Sequence, residues 1–213
     1  MQKLLSALFL FAFSQILTAQ SHDKGTFSAQ LNYDFGVHRT VYTSKFNGFE
    51  LNRDEGAAAT SMLALNFQYN PAKLFSAGFN FNTGAYLENP DNAEAAGNTY
   101  RSFFFDLRLY ALNKDRFNWF LAPKVGVANL EINRRKGIIV ETSNYRATPF
   151  GIYSGFNWYP TAIFGLNMQL GYTSHNLKMR SFSVAGTEVN LNNFDNRIAA
   201  GGIHLQLGIS LKI

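Results

Sequence analysis

No cysteine occurs anywhere in the chain. That removes a disulfide framework, a thiolate metal site and a lipid carried on a cysteine behind a cleaved leader. Charge is sparse: Asp, Glu, Lys and Arg make up 15% of the residues, well under the quarter usual in soluble domains. Long apolar runs are missing too. The one candidate, residues 4–17, is interrupted by Ser6, Ser14 and Gln15, and a helix needs about 20 apolar residues to cross a bilayer. No transmembrane helix is therefore expected. The glycines fall at strand period and not in a phosphate-cradling loop, and the net charge of +5 comes without a basic helix or a basic–aromatic platform. Nucleotide and nucleic-acid binding therefore have no support.

What the chain has in abundance is aromatic side chains, 21 Phe and 10 Tyr. It opens with Lys3, the apolar run and the small-residue end Leu17-Thr18-Ala19, the layout of a secretory signal peptide cleaved after Ala19. Residues 1–19 are assigned to that leader and 20–213 to one domain, whose charge is +4 once Lys3 is lost. A secreted, aromatic-rich chain of this kind is either a soluble sandwich or lipocalin-like barrel, or a barrel in an outer membrane.

The closing stretch decides between them. Ile203, Leu205, Leu207, Ile209, Leu211 and Ile213 alternate with His204, Gln206, Gly208, Ser210 and Lys212, which is the two-residue period of a strand with one apolar face. A dozen residues at about 3.3 Å each, tilted near 45°, reach roughly 28 Å, the thickness of a bilayer core. The same period recurs over residues 26–38, 60–70, 74–86, 100–112, 117–129, 148–158 and 163–173. Pro123 is a flaw in the pattern, costing a ladder hydrogen bond. Short turns are expected at 70–73, 113–116 and 159–162, and long polar loops at 39–57, 87–99, 130–145 and 174–197. Strict alternation of short turns with long loops is the layout of an outer-membrane barrel. Trp119 and Trp158, with Tyr69, Tyr159 and Phe164, sit beside the short turns and read as an interfacial aromatic girdle.

On this pattern the chain resembles the small eight-stranded outer-membrane barrels of the outer-membrane-protein-A and -X type, with a departure at the last residue, Ile213, where many such barrels end in Phe or Trp. The resemblance implies an all-β, eight-stranded antiparallel up-and-down transmembrane barrel in the bacterial outer membrane, inserted by the outer-membrane assembly machinery. The second face of the strands is rich in Gly, Asn, Gln and Ser, which suits a crowded lumen better than a solvated exterior. Eight strands leave an interior that side chains fill, so an open pore is not expected.

Ionisable residues on the inner face are Asp34, Asp106, Arg108, Lys124 and His204. Neighbouring strands bring Asp106 and Arg108 near Lys124, and barrel closure brings Asp34 near His204. An internal salt-bridge network is the expected use, since unpaired charge in such a lumen is costly; a gated ion path or proton relay is the functional alternative. Ser174-His175 with Glu188 is the nearest approach to a hydrolytic site, but adjacent strand residues point to opposite faces. The histidines at 22, 38, 175 and 204 show no close-spaced pair. No catalytic, cofactor or metal residue is assigned. Arg39, Lys45, Arg53, Arg134, Arg135, Lys136, Lys178 and Arg180 in the outer loops suit the phosphates of lipopolysaccharide and other outer-membrane lipids. The expected role is structural or surface-interacting and not enzymatic. The alternatives are a lipid A-modifying enzyme, or a barrel subunit of a secretion or transport assembly.

Overall fold

A computed structural model describes residues 24–88, 94–95 and 97–213. The leader expected over residues 1–19 lies outside them, as do residues 89–93 and 96 of the polar segment expected at 87–99. The long strands, in chain order, are β1 (Phe27–Phe46), β2 (Phe49–Ala72), β3 (Phe75–Glu88), β4 (Thr99–Lys114), β5 (Phe117–Lys136), β6 in two pieces (Ile139–Ala147 and Phe150–Trp158), β7 (Phe164–Val184) and β8 (Phe194–Lys212). Each pairs antiparallel with its neighbours in the chain. The last strand pairs with the first from Ser28↔Lys212 to Phe46↔Phe194. The ring is closed, so no long strand presents a free edge. This is the eight-stranded up-and-down barrel that the alternation predicts.

The two proline positions show why the ring tolerates them. The β4–β5 ladder runs from Asp106↔Lys124 to Leu109↔Leu121 without the rungs beside Pro123, which has no N–H to give. Pro149 splits β6, yet its carbonyl still accepts from the Gly126 N–H at 3.1 Å.

The stagger of the strands can be read by walking the ladder once round the ring. Ala29 faces Phe67, then Phe79, Phe105, Val125, Phe150, Ser174 and Gly201, which faces Arg39. The walk returns to β1 ten residues further along. With a rise of about 3.3 Å and a strand spacing of about 4.8 Å, that stagger over eight strands tilts each strand by roughly 40°. The outward apolar residues of β1 run from Phe27 to Val37. At that tilt they span about 25 Å, the height of a lipid-facing band in an outer-membrane barrel.

Three of the four segments expected as loops are instead strand. β1 and β2 continue past Arg39 and meet at Asn47-Gly48, β5 and β6 continue to a turn at Gly137-Ile138, and β7 continues to Val184 before Ala185-Gly186. The backbone explains this. Asn47 and Gly48 both have positive φ (50° and 84°), as do Ala185 and Gly186 (50° and 80°), the conformation of a two-residue hairpin turn whose twist matches the flanking strands. Above the lipid belt the outer face meets water, so the strand continues with polar side chains and the apolar period disappears while the ladder does not.

One girdle residue is also reassigned. Trp119 and Trp158 face outward and are half exposed. Tyr159, expected beside them, is fully buried, and its hydroxyl pairs with Ser210 Oγ at 2.8 Å. Tyr159 continues the inward phase of Gly151, Tyr153, Gly155 and Asn157 on β6, so strand parity places its ring inside while Trp158 faces out.

Candidate functional site

Two regions concentrate chemistry: the packed lumen and the outer rim. In the lumen, all five expected ionisable residues are buried, with Asp34, Asp106 and Arg108 showing no exposed surface. Asp106 on β4 stands directly opposite Lys124 on β5, with Lys124 Nζ 3.7 Å from its Oδ2. The Arg108 guanidinium donates to the same oxygen at 3.3 Å and to Gln30 Oε1 across the barrel at 3.1 Å. Lys124 also donates to Gln169 Oε1 at 3.2 Å. Both cations lie over rings, Arg108 over Phe120 (4.5 Å) and Lys124 over Tyr153 (3.9 Å), where the ring quadrupole replaces part of the lost hydration. From Gln30 and Gln169 the network continues through Asn157, Asn167 and Asn118, and Asn66 bonds Asn80 beside it.

The second expected pair also forms. His204 Nδ1 lies 2.9 Å from Asp34 Oδ1, and Gln206 donates to Asp34 Oδ2 at 2.6 Å. A carboxylate oxygen accepts, so the imidazole donates from Nδ1 in this contact.

The barrel adds what chain spacing hides. His38 lies edge-on to His204 at 4.8 Å between ring centres and 5.4 Å from His175, which is 5.8 Å from Tyr100. Three histidines distant in the chain thus share one lumen level, on three adjacent strands. The signal was parity: each falls on the inward phase of its strand, but the ten-residue stagger was needed to align them. Among the described residues no group of three His, Asp or Glu side chains is arranged to hold a metal ion; His22 lies outside them. Ser174 is exposed and His175 buried on opposite sides of β7, so they share no site, and Glu188 lies in a short exposed strand piece (Thr187–Glu188). Leu130, Ile132, Leu177 and Ile198 pack with Met62 and the rings of Tyr86, Tyr100 and Tyr145 into one buried cluster of the lumen.

On the outer rim, the expected cations divide. Arg134 turns inward on β5 and donates to Glu88 Oε1 at 3.0 Å, while Tyr42 donates to Glu88 Oε2 at 2.7 Å. Arg39, Arg53, Lys178 and Arg180 face outward and are exposed. Arg101, Arg146 and Arg197, outside the expected set, join them. The ladder lines them up: Arg101 faces Asn129, which faces Arg146, then Lys178, Arg197, Thr43 and Arg53. Five cations from five strands therefore fall on one row winding round the outside. Its lower end lies against the apolar belt, since Phe103, the next outward residue below Arg101, is exposed. Within this rim Arg39 donates to Glu55 at 2.6 Å and holds its carboxyl below the usual range, chiefly through that hydrogen bond.

No protein-family model matches the chain, and no curated protein does. Solved structures do. The outer membrane protein OprG from Pseudomonas aeruginosa superposes with a TM-score of 0.66 at 12% identity, over 91% of this chain and 98% of that one. Outer membrane protein AlkL, determined in DMPC lipid bilayers, superposes with a TM-score of 0.59 at 13% identity, over 90% of this chain and 92% of that one. At such identities the likeness is one of fold. The belt, the closed ring and this likeness together define a transmembrane β-barrel of the bacterial outer-membrane type. Its architecture is that of the small eight-stranded outer-membrane barrels.

Proposed function

We propose that the protein is a passive outer-membrane barrel with a structural and surface-interaction role, anchored by its strands and meeting anionic outer-leaflet lipids through its outward cations. The observation that carries this reading is the row from Arg101 to Arg53, which starts against the margin of the apolar belt. Each cation held near an anionic leaflet gains about 1 kcal/mol, so several on one row outweigh the entropy of ordering a few lipids. The long hairpins then face the cell exterior, and the short turns the periplasm. The assembly machinery would engage the closing strand β8 during insertion.

The interior supports a passive role. Asp106 holds both Arg108 and Lys124, Asp34 holds His204, Leu130, Leu177 and Ile198 share one buried apolar cluster, and eight strands leave no aqueous channel. No catalytic step enters the reading. The test is reconstitution of the protein, after removal of any leader, into lipid vesicles. We expect no release of a small trapped solute above that of empty vesicles, and enrichment of phosphorylated glycolipid among the lipids co-purifying from outer membranes. Solute release, or co-purified lipid of bulk composition, overturns it.

A further inference from the structure

The barrel wall dips where β8 passes between β1 and β7. Its outward positions there are Ala199 and Gly201, the smallest side chains available. A Cβ on Gly201 would run into the Tyr172 hydroxyl, because that ring lies across it. The dip forms a groove of about 690 Å³, bounded by Arg39, Arg53 and Glu55 on one side and by Asn176 on the other, with Tyr172 and Phe150 at its lower end. A second hollow of about 240 Å³, lined by Lys45, Asp195 and Arg197, shares Asn176 and Ala199 with it. The two are thus one trough along the outer face of β8.

Charge and polarity grade along this trough. Its upper part carries Arg39, Lys45, Arg53 and Arg197 against Glu55 and Asp195. Arg39 and Arg197 are each paired to one of those carboxylates, whereas Lys45 and Arg53 have no salt bridge among the described residues. Its lower end opens onto the lipid belt, where Phe150 and Tyr172 are about half exposed.

From this geometry we infer that the trough is a specific site for a phosphorylated glycolipid of the outer leaflet. The phosphates meet Arg39, Arg53, Lys45 and Arg197, the sugar rests on the Ala199–Gly201 floor, and the acyl chains descend past Tyr172 and Phe150. The inference rests on the lipid-contacting role proposed above and adds a place and an occupant. A free phosphate would use the cations alone and leave the small-residue floor and the aromatic end without a purpose. A lipid uses all three.

The experiment is native mass spectrometry of the protein extracted from phosphatidylcholine nanodiscs doped with bisphosphorylated lipid A, counting lipid A retained. Three variants are compared, each first shown to be folded by heat modifiability: Arg39→Gln with Arg53→Gln, Ala199→Trp, and Lys73→Gln with Lys114→Gln, exposed at the short turns of the opposite end. Removing the two groove arginines should lower retention about tenfold or more. Ala199→Trp fills the floor and leaves every cation intact, so it should lower retention comparably by bulk alone. The short-turn pair should change it by about twofold or less, as distant exposed charges do. Equal losses from the arginine pair and the short-turn lysine pair, or no loss from Ala199→Trp, overturn the site while leaving the general lipid-contacting role standing. Wild-type protein that retains no more lipid A than phosphatidylcholine overturns both. Inorganic phosphate that displaces lipid A equally well from wild type and from Ala199→Trp would assign the cations to a free anion and also overturn the lipid site.

Discussion

Asp34 and His204 stand 170 residues apart in the chain and 2.9 Å apart in the barrel. They meet across the β1–β8 seam, in the space that Gly36 leaves beside the imidazole: a Cβ on Gly36 would lie 2.7 Å from His204 Cε1. Asp34 therefore helps to lock the closure of the ring. Asp34→Ala strands the His204 and Gln206 donors in a buried site, at about 1–3 kcal/mol for each unsatisfied group. Asp34→Asn keeps one acceptor and should cost less. Urea unfolding in lipid vesicles, followed by the fluorescence of Trp119 and Trp158, should rank wild type above Asp34→Asn and Asp34→Ala last. Three coincident curves would mean that the carboxylate contributes nothing to closure.

Asp106 separates two buried cations. Its Oδ2 is shared by Arg108 and Lys124, so Asp106→Ala leaves two like charges facing each other away from water. Breaking a buried ion pair from one side costs about 3–5 kcal/mol. Adding Lys124→Met to Asp106→Ala removes the stranded ammonium, which lies over the Tyr153 ring, and keeps most of the side chain's volume. The double variant should thus recover much of the loss. A double-mutant cycle on unfolding free energies reads the coupling directly, and additive effects would show that the three side chains do not act as a unit.

The sequence made the barrel legible because lipid outside and packed side chains inside force opposite chemistry onto alternate residues: Ile203 to Ile213 shows it without ambiguity. The same logic placed Asp106 beside Lys124, since adjacent strands fix that register locally. It failed where the outer face leaves lipid. Past Arg39 the apolar phase ends, and β1 continues unseen to Phe46 although Asn47-Gly48 was a readable hairpin turn. It failed again for His38, His175 and His204, whose meeting depends on the stagger accumulated round the ring. The row from Arg101 to Arg53 was hidden for the same reason.

Ala185 offers a test of the hairpins themselves. It holds φ at +50° in the turn after β7, beside Gly186, a conformation that costs a residue with a Cβ roughly 1–2 kcal/mol. Asn tolerates this region better, as Asn47 does in the matching turn. Ala185→Asn should slow proteolysis of the outer hairpin in reconstituted protein, and Ala185→Val should speed it. Both should leave the unfolding midpoint of the lipid-embedded barrel unchanged. A shift of that midpoint would mean that hairpin and barrel unfold as one unit.

Asp195 supplies a pH dependence with a defined sign. Arg197 donates to both of its oxygens, at 3.0 Å from Nε and 2.7 Å from Nη2, and Lys178 Nζ lies 3.8 Å away. The Arg197 hydrogen bonds chiefly hold the carboxyl below its ordinary value of 3.8. A depressed carboxyl stabilises the folded hairpin fully above that ordinary value, and the contribution is lost as pH falls through the depressed one. Carboxyl NMR of the reconstituted protein should therefore show Asp195 titrating below 3.8, and Arg197→Gln should move its midpoint upward. In wild type, amide exchange at the β7–β8 end should accelerate only below that midpoint; in Arg197→Gln the acceleration should begin at a higher pH. An Asp195 midpoint indifferent to Arg197→Gln would assign the depression to Lys178 and Lys45 instead, and the trough's upper cations would then act on this carboxylate through space and not through a bond.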